Sequence, residues 1–329
     1  MSGQLPISIA LPVYNGAAYL REAIDSICAQ SFQNFEVVIS DNASTDETPR
    51  ICHEYARRDP RIKVYRTEQF LQQAGNVNRA VDLCSAEWVK LFCHDDLMVP
   101  ECIMGVYRAI ESAPASVGLI ANGESWLFMN GHVAPIPPSQ PPYHRNGSKL
   151  LREYLSGNRD VYLPALTPAT IRKVAWERAG KFDCRFVHFD VFCWMKLLLE
   201  WDYLFIPLAL TLCRIHGGQV AVSAQKTLRS IHDHRLFFAE FAAQYGDQLK
   251  LNWLIRKRLQ LRFLGSAGAA VAAKALRNEF GSSVGLFLTM PVGWWPLLPA
   301  FALRSYLTEK RRIRSIADHV PATMVFPVG

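Results

Sequence analysis

The 329-residue chain is half apolar, one-fifth charged and carries a formal net charge of +7. That length and composition suit one large α/β domain with an appendage and argue against a disordered scaffold. The charge is not gathered into a basic stripe with interleaved aromatics before residue 250, which argues against nucleic acid; it fits anionic small substrates and an acidic membrane surface.

Ile7 to Leu11 reads as a short buried strand, and Gly16 to Gln30 as a helix with Leu20, Ile24 and Ile27 on one face. Phe35 to Ser40 is a second strand ending at Asp41. Ser44-Thr45-Asp46-Glu47 matches a capping box, in which serine and glutamate satisfy free backbone amides, and starts the second helix at Ser44. Ile62 to Tyr65, Trp88 to Cys93 and Val117 to Ala121 are further strands, with helices near 76–85 and 100–111. The alternation predicts an open, mostly parallel sheet covered on both faces, whose ligands collect at the carboxyl ends of strands, where Pro12, Asp41 and Asp95 fall.

The stretch 122–161, with Trp126, Phe128, a proline-rich run from Pro135 to Pro142 and four glycines, reads as a long irregular, functional or mobile loop. Helical pattern returns at Lys173 to Ala179 and Asp190 to Glu200, and a strand from Leu208 to Arg214 leads into Ile215-His216-Gly217-Gly218. Past residue 250, Arg256, Lys257, Arg258 and Arg262 mix with apolar residues. The uncharged run Ser282 to Leu303 holds Trp294-Trp295 between Pro291 and Pro296, and Lys310-Arg311-Arg312 follows. The prolines argue against a straight spanning helix, so a broken hairpin or an element lying in the membrane interface is expected. The eight cysteines form no C-x-x-C pair, which favours reduced thiols in a cytosolic compartment over disulfides or a zinc site, and Met1 to Gln4 does not open a secretory signal.

Two adjacent carboxylates, Asp95-Asp96, just after a buried strand cannot both enter the core without a large desolvation cost. They should face a cleft or a divalent ion that neutralises a diphosphate, or else cap the helix before Pro100. His94 beside them is an outer partner of such an ion or a surface imidazole. Asp41 can accept a hydrogen bond from a base or ribose, or close an ordinary turn. Asp46 reads as helix-terminal electrostatics. Gly75-Asn76-Val77-Asn78-Arg79 opens a helix whose amides or Arg79 can approach phosphates; Pro12 and Gly16 need only a rigid turn. Asp190, at the start of an apolar helix, can take a proton from an acceptor hydroxyl or cap the helix. Arg214 and His216 bind diphosphate or form a polar strand end.

Pro12-Val13-Tyr14-Asn15, Asp41 to Asp46, Gly75 to Asn78, Cys93-His94-Asp95-Asp96, Gly180-Lys181-Phe182-Asp183, Phe189-Asp190 with Trp194, and Arg214 to Gly218 stand in order over residues 5 to 220. In this combination the chain resembles the inverting glycosyltransferase family 2. The resemblance implies an α/β fold of GT-A type, a nucleotide-binding sandwich around an open mostly parallel sheet, over residues 1–245. Residues 1–121 would form the nucleotide-binding half and 122–245 the acceptor half, with a basic, apolar helical extension at 246–329. It implies a nucleotide pocket of Pro12, Val13, Tyr14, Asn15, Asp41, Asn76, Arg79, His94 and Asp95, Mn²⁺ or Mg²⁺ at Asp95 and Asp96, Asp190 as general base, and Arg214 and His216 near diphosphate or acceptor. The donor is expected to be a UDP- or dTDP-sugar and the acceptor a glycan or lipid-linked hydroxyl. Peripheral contact through residues 250–314 would hold the protein at the cytoplasmic face of the inner membrane, as a monomer or homo-oligomer and without nucleic acid. Two alternatives are a polyprenyl-phosphate sugar transferase and a noncatalytic nucleotide-sugar-binding assembly subunit. Two positions depart from the family's habit: Cys93 stands where an acid is common, and Phe189 where glutamate commonly precedes the base.

Overall fold

The apolar residues of the first strand alternate, and each set finds its own helix layer. In the computed structural model, which describes residues 5–128, 133–135, 143–158, 161–216 and 229–251, β1 (Ile7–Val13) sends Ile7, Ile9, Leu11 and Val13 into one buried cluster. That cluster also takes Leu20, Ile24 and Ile27 of α1 (Leu20–Cys28), Ile51 and Cys52 of α2 (Thr48–Arg58), and Ile103 and Val106 of α4 (Cys102–Ser112). The opposite face of β1 and β2 (Phe35–Asp41) is covered by α3 (Gln73–Leu83), whose Asn76 bonds Ser40. The two-residue period of a strand thus separates the layers.

The sheet runs β3-β2-β1-β4-β9-β6-β10-β5, with β3 at Ile62–Arg66, β4 at Trp88–Leu91, β5 at Leu97–Met98, β6 at Val117–Phe128, β9 at Ala169–Arg172 and β10 at Asp202–Ile215. The expected parallel order holds for β3-β2-β1-β4. Beyond it the sheet is mixed: β9 is antiparallel to both β4 and β6, while β10 is parallel to β6. β7 (Val133–Pro135) and β8 (Tyr143–Arg145) pair with β6 and β10, and the short helix α6 (Lys173–Arg178) follows β9.

Three sequence expectations change. Strand β6 continues to Phe128, and α5 (Gly147–Ser156) forms with Asn146 accepting from the Lys149 amide, so the segment after 121 is not one irregular loop. Flanked by β9 and β10, β6 is sheet interior, and its buried Asn122 is satisfied there by Lys90 and Thr211, so the polar residue that interrupts the apolar pattern does not end the strand. The capping box does not close: α2 starts at Thr48, because Ser44 is engaged by the Asn15 amide and Asp46 accepts from the Thr48 amide instead. Gly16, expected to serve only as turn punctuation, is a close-approach position, since a Cβ there would lie 2.4 Å from His94 Cδ2 and 2.7 Å from Val13 Cγ2.

The chain divides into two compact units, Met1–Gln219 and Val220–Gly329. In the second, α8 (Arg229–Tyr245) buries Phe237 and Phe241. The proline- and tryptophan-containing run and Lys310 to Arg314 lie outside the described residues. Among the described residues no helix is long and apolar enough to cross a membrane.

Candidate active site

The carboxyl ends of β1 and β2 are latched to each other by short polar contacts. Asn15, at φ 46°, donates its amide to Ser44 Oγ (2.9 Å) and accepts the Thr45 amide on its side chain (2.8 Å). The Gly16 amide donates to Thr48 Oγ1, and the Ala17 amide to Asp46. Asp41 is buried, accepting the Ser44 amide on one oxygen and Arg66 on the other at 2.6 Å. Asn76 holds Ser40 and reaches the Val13 carbonyl, while Arg79 donates to Ser40 Oγ (2.9 Å). These residues build one rim at the strand ends. On it Tyr14 and Phe70, 44% and 59% exposed, meet edge to face at 4.7 Å and leave a large aromatic surface uncovered.

The acid turn follows β4. The Cys93 amide donates to Thr167 Oγ1 and the Asp96 amide to the Cys93 carbonyl, folding the turn so that its donors converge. Asp96 is 6% exposed. Thr167 donates its hydroxyl to one Asp96 oxygen, and the Arg214 amide donates to the other at 2.9 Å. Arg214 also donates Nε to the Asp95 carbonyl and pairs with Glu22, while His216 Nε2 lies 3.0 Å from Asp95 Oδ2. Tyr19 of the β1–α1 turn lies under both cation and imidazole, 4.8 Å from each. Asp95 and Asp96 therefore do not cap a helix; α4 begins six residues later, after Glu101. His94 is packed against Gly16 rather than displayed on the surface, and burial lowers its basicity.

Burial first, and the neighbouring Asp95 second, push Asp96 up to about 7. A carboxyl raised in this way is short of positive charge. Cys93 Sγ and one oxygen from each of Asp95 and Asp96 lie within 4.8 Å of one another, close enough that small side-chain rotations would bring all three onto one ion with bonds of ~2.0–2.3 Å. The donor set fits a divalent cation in number and charge.

Asp190 lies in the first turn of α7 (Phe189–Leu197), accepting the Val191 amide at 2.8 Å. Densely surrounded, its carboxyl is pushed up to about 6 by burial, and its charge reaches the Cys93 thiol. Trp194 anchors the helix through its indole N–H on the Pro164 carbonyl (2.8 Å). Phe189 points into the core against Phe182 at 5.3 Å, and the Phe182 backbone is held by both ends of the Asn78 amide. At this position the side chain is structural.

Thr167, Glu22, Tyr19 and Phe70 escaped the sequence reading, since each enters the site through contacts between distant segments. Lys90 also went unnoticed. It is fully buried in β4, donating to Asn122 Oδ1 (3.0 Å) and the Thr167 carbonyl (2.5 Å), and burial pushes its ammonium down to about 8. Between about pH 8 and the unfolded value of ~10.4 the unfolded chain binds the extra proton, so Lys90 makes folding stability rise with pH in that window, by up to roughly 3 kcal/mol. Denaturant unfolding across it should show the rise in the wild type and a flatter curve for Lys90→Met.

Residues 8–158 match the family described as Glycosyl transferase family 2. The chain spans 12% and 37% of the lengths of two curated relatives it matches, the second being Glycosyltransferase GlyG of Streptococcus pneumoniae, 29% identical over 34% of this chain. Among solved structures it is similar to S. aureus TarS 1-349 in complex with UDP-GlcNAc, with TM-score 0.60 and 18% identity over 94% of this chain and 92% of that one. It is likewise similar to the mannosyltransferase PcManGT from Pyrobaculum calidifontis in complex with GDP-Man and Mn²⁺, with TM-score 0.57 and 19% identity over 93% and 87%.

Proposed function

Because residues 8–158 match glycosyl transferase family 2 and the chain shares the GT-A fold, we propose that it transfers a sugar with inversion from a nucleoside diphosphate sugar to a hydroxyl of a glycan or lipid-linked acceptor. The observation that carries this reading is the convergence of the acid turn, Arg214 and His216 at the mouth of the parallel half-sheet, with Asp190 close enough to act on the same turn electrostatically.

The nucleotide lies along the rim of Pro12 to Asn15, Asp41, Asn76 and Arg79, with the exposed rings of Tyr14 and Phe70 offering the base an apolar face. Asp95 and Asp96 would hold a divalent cation, which would supply positive charge to the departing diphosphate. Arg214 and His216 hold Asp95, and the Arg214 guanidinium keeps positive charge beside it. Asp190 accepts the acceptor's hydroxyl proton as that oxygen bonds to the anomeric carbon and the bond to the diphosphate breaks. One displacement suffices, and no bond forms between sugar and protein.

Purified protein incubated with UDP-, dTDP- and GDP-sugars, with Mn²⁺ or Mg²⁺, should release nucleoside diphosphate from one donor in a metal-dependent way, slowly without acceptor and faster with the right glycan. No release from any donor, alone or with a panel of glycan and lipid-linked acceptors, would overturn the reading.

A further inference from the structure

The position two residues before the acid pair carries sulfur. Cys28, Cys84 and Cys213 direct their thiols to Asp59, the Ala80 carbonyl and Glu124. Cys93 Sγ instead stands within 4.8 Å of both acid-turn carboxylates. Thr167 clamps the arrangement, accepting the Cys93 amide and donating to Asp96, so one side chain sets the spacing of the sulfur and the carboxylate.

We propose that Cys93 is itself a ligand of the divalent cation, giving a thiolate and two carboxylates, and that the site therefore takes a sulfur-accepting ion such as Zn²⁺ or Co²⁺ ahead of Mg²⁺. The inference rests on the metal-dependent reading above and adds the third ligand and the class of cation. Mg²⁺ demands oxygen donors in near-ideal octahedral geometry, whereas thiolate ligation selects softer ions. Binding breaks the Cys93 S–H bond, releases that proton to solvent and forms one metal–sulfur bond, with no change of oxidation state.

The test is optical and needs no turnover. Full-length protein, freed of metal by chelator and kept reduced, is titrated with Co²⁺ alone and again with UDP, GDP or dTDP present. The wild type should develop a near-ultraviolet sulfur-to-cobalt charge-transfer band. Cys93→Asp, which keeps a donor at that position, should bind Co²⁺ without the band, and Cys184→Ser, at an exposed cysteine, should keep it. The wild-type preference for Zn²⁺ over Mg²⁺ should fall roughly 10-fold or more in Cys93→Asp, since even outer partners of a metal are worth ~10–100-fold. A wild type without the band, or a band that survives Cys93→Asp, overturns the proposal. The band together with failure to release any donor would sink the transferase reading and leave the ligand assignment standing; metal-dependent transfer without the band would do the reverse.

Discussion

Asp190→Asn should lower the rate of transfer by about 10²–10⁴-fold, the usual contribution of a positioned general base, while leaving donor affinity within a few-fold of wild type. The amide keeps the shape of the carboxylate and can still accept the Val191 amide, so α7 should persist. What is lost is the capacity to take a proton. The group is suited to that task because burial opposes its ionisation and brings it up to about 6, near enough to neutrality for a useful base that is still mostly ionised at pH 7. The sign follows: a base must be deprotonated, so the wild-type rate should rise with pH through about 6 and level off above, and the small residual rate of Asp190→Asn should lack that limb. Steady-state kinetics from pH 5 to 8, with donor binding measured separately by calorimetry, checks both. A variant with wild-type kcat would reduce Asp190 to a first-turn acid of its helix. An acceptor that attacks through an oxygen already anionic, such as a lipid phosphate, would be spared by the substitution, so the size of the loss also reports on acceptor chemistry.

Half of the site was legible because its residues announce themselves locally. A buried strand that ends in two carboxylates should place them against a cation or solvent, and Asp95 and Asp96 come together with Cys93 as donors that could hold one. The alternation of Ile7, Ile9, Leu11 and Val13, and the helical spacing of Leu20, Ile24 and Ile27, likewise define the first layer without tertiary knowledge. Other features depend on which segments meet. Thr167 joins Asp96 across 71 residues and the Arg214 amide joins it across 118, contacts with no periodicity to betray them. Ser44 had a respectable local alternative as a helix cap, and lost it because the Asn15 amide competes for the same hydroxyl. Strand β6 was cut short because its buried polar residue is satisfied by Lys90, a partner visible only once the sheet is assembled.

Asp96→Asn should separate function from stability by moving them in opposite directions. If Asp96 holds the cation, removing its charge should cost about 10²–10³-fold in donor turnover, comparable to losing a single electrostatic stabiliser of a transition state, and should weaken metal binding. The folded, metal-free protein tells the other half. Its Asp96 is raised to about 7 by burial and by Asp95, above the unfolded value of ~3.9, so between those pH values the folded state binds more protons than the unfolded one. Wild-type stability must therefore fall as pH rises through that window, and at pH 8 the protein carries a buried charge without its counter-ion. Asparagine keeps its one oxygen for the Arg214 amide, turns its NH2 toward Thr167 Oγ1, which can accept it, and removes the charge, so the metal-free variant should unfold at a higher denaturant midpoint than wild type at pH 8, with the difference closing near pH 4. Saturating metal should stabilise the wild type and recover its disadvantage, and do little for the variant. Equal midpoints at pH 8 with and without metal, in both proteins, would mean that Asp96 is neither strained in the empty fold nor engaged by a cation. A site selected for catalysis in place of stability should instead show this reversal, because the same desolvation that makes Asp96 costly to ionise alone strengthens its attraction for a bound ion.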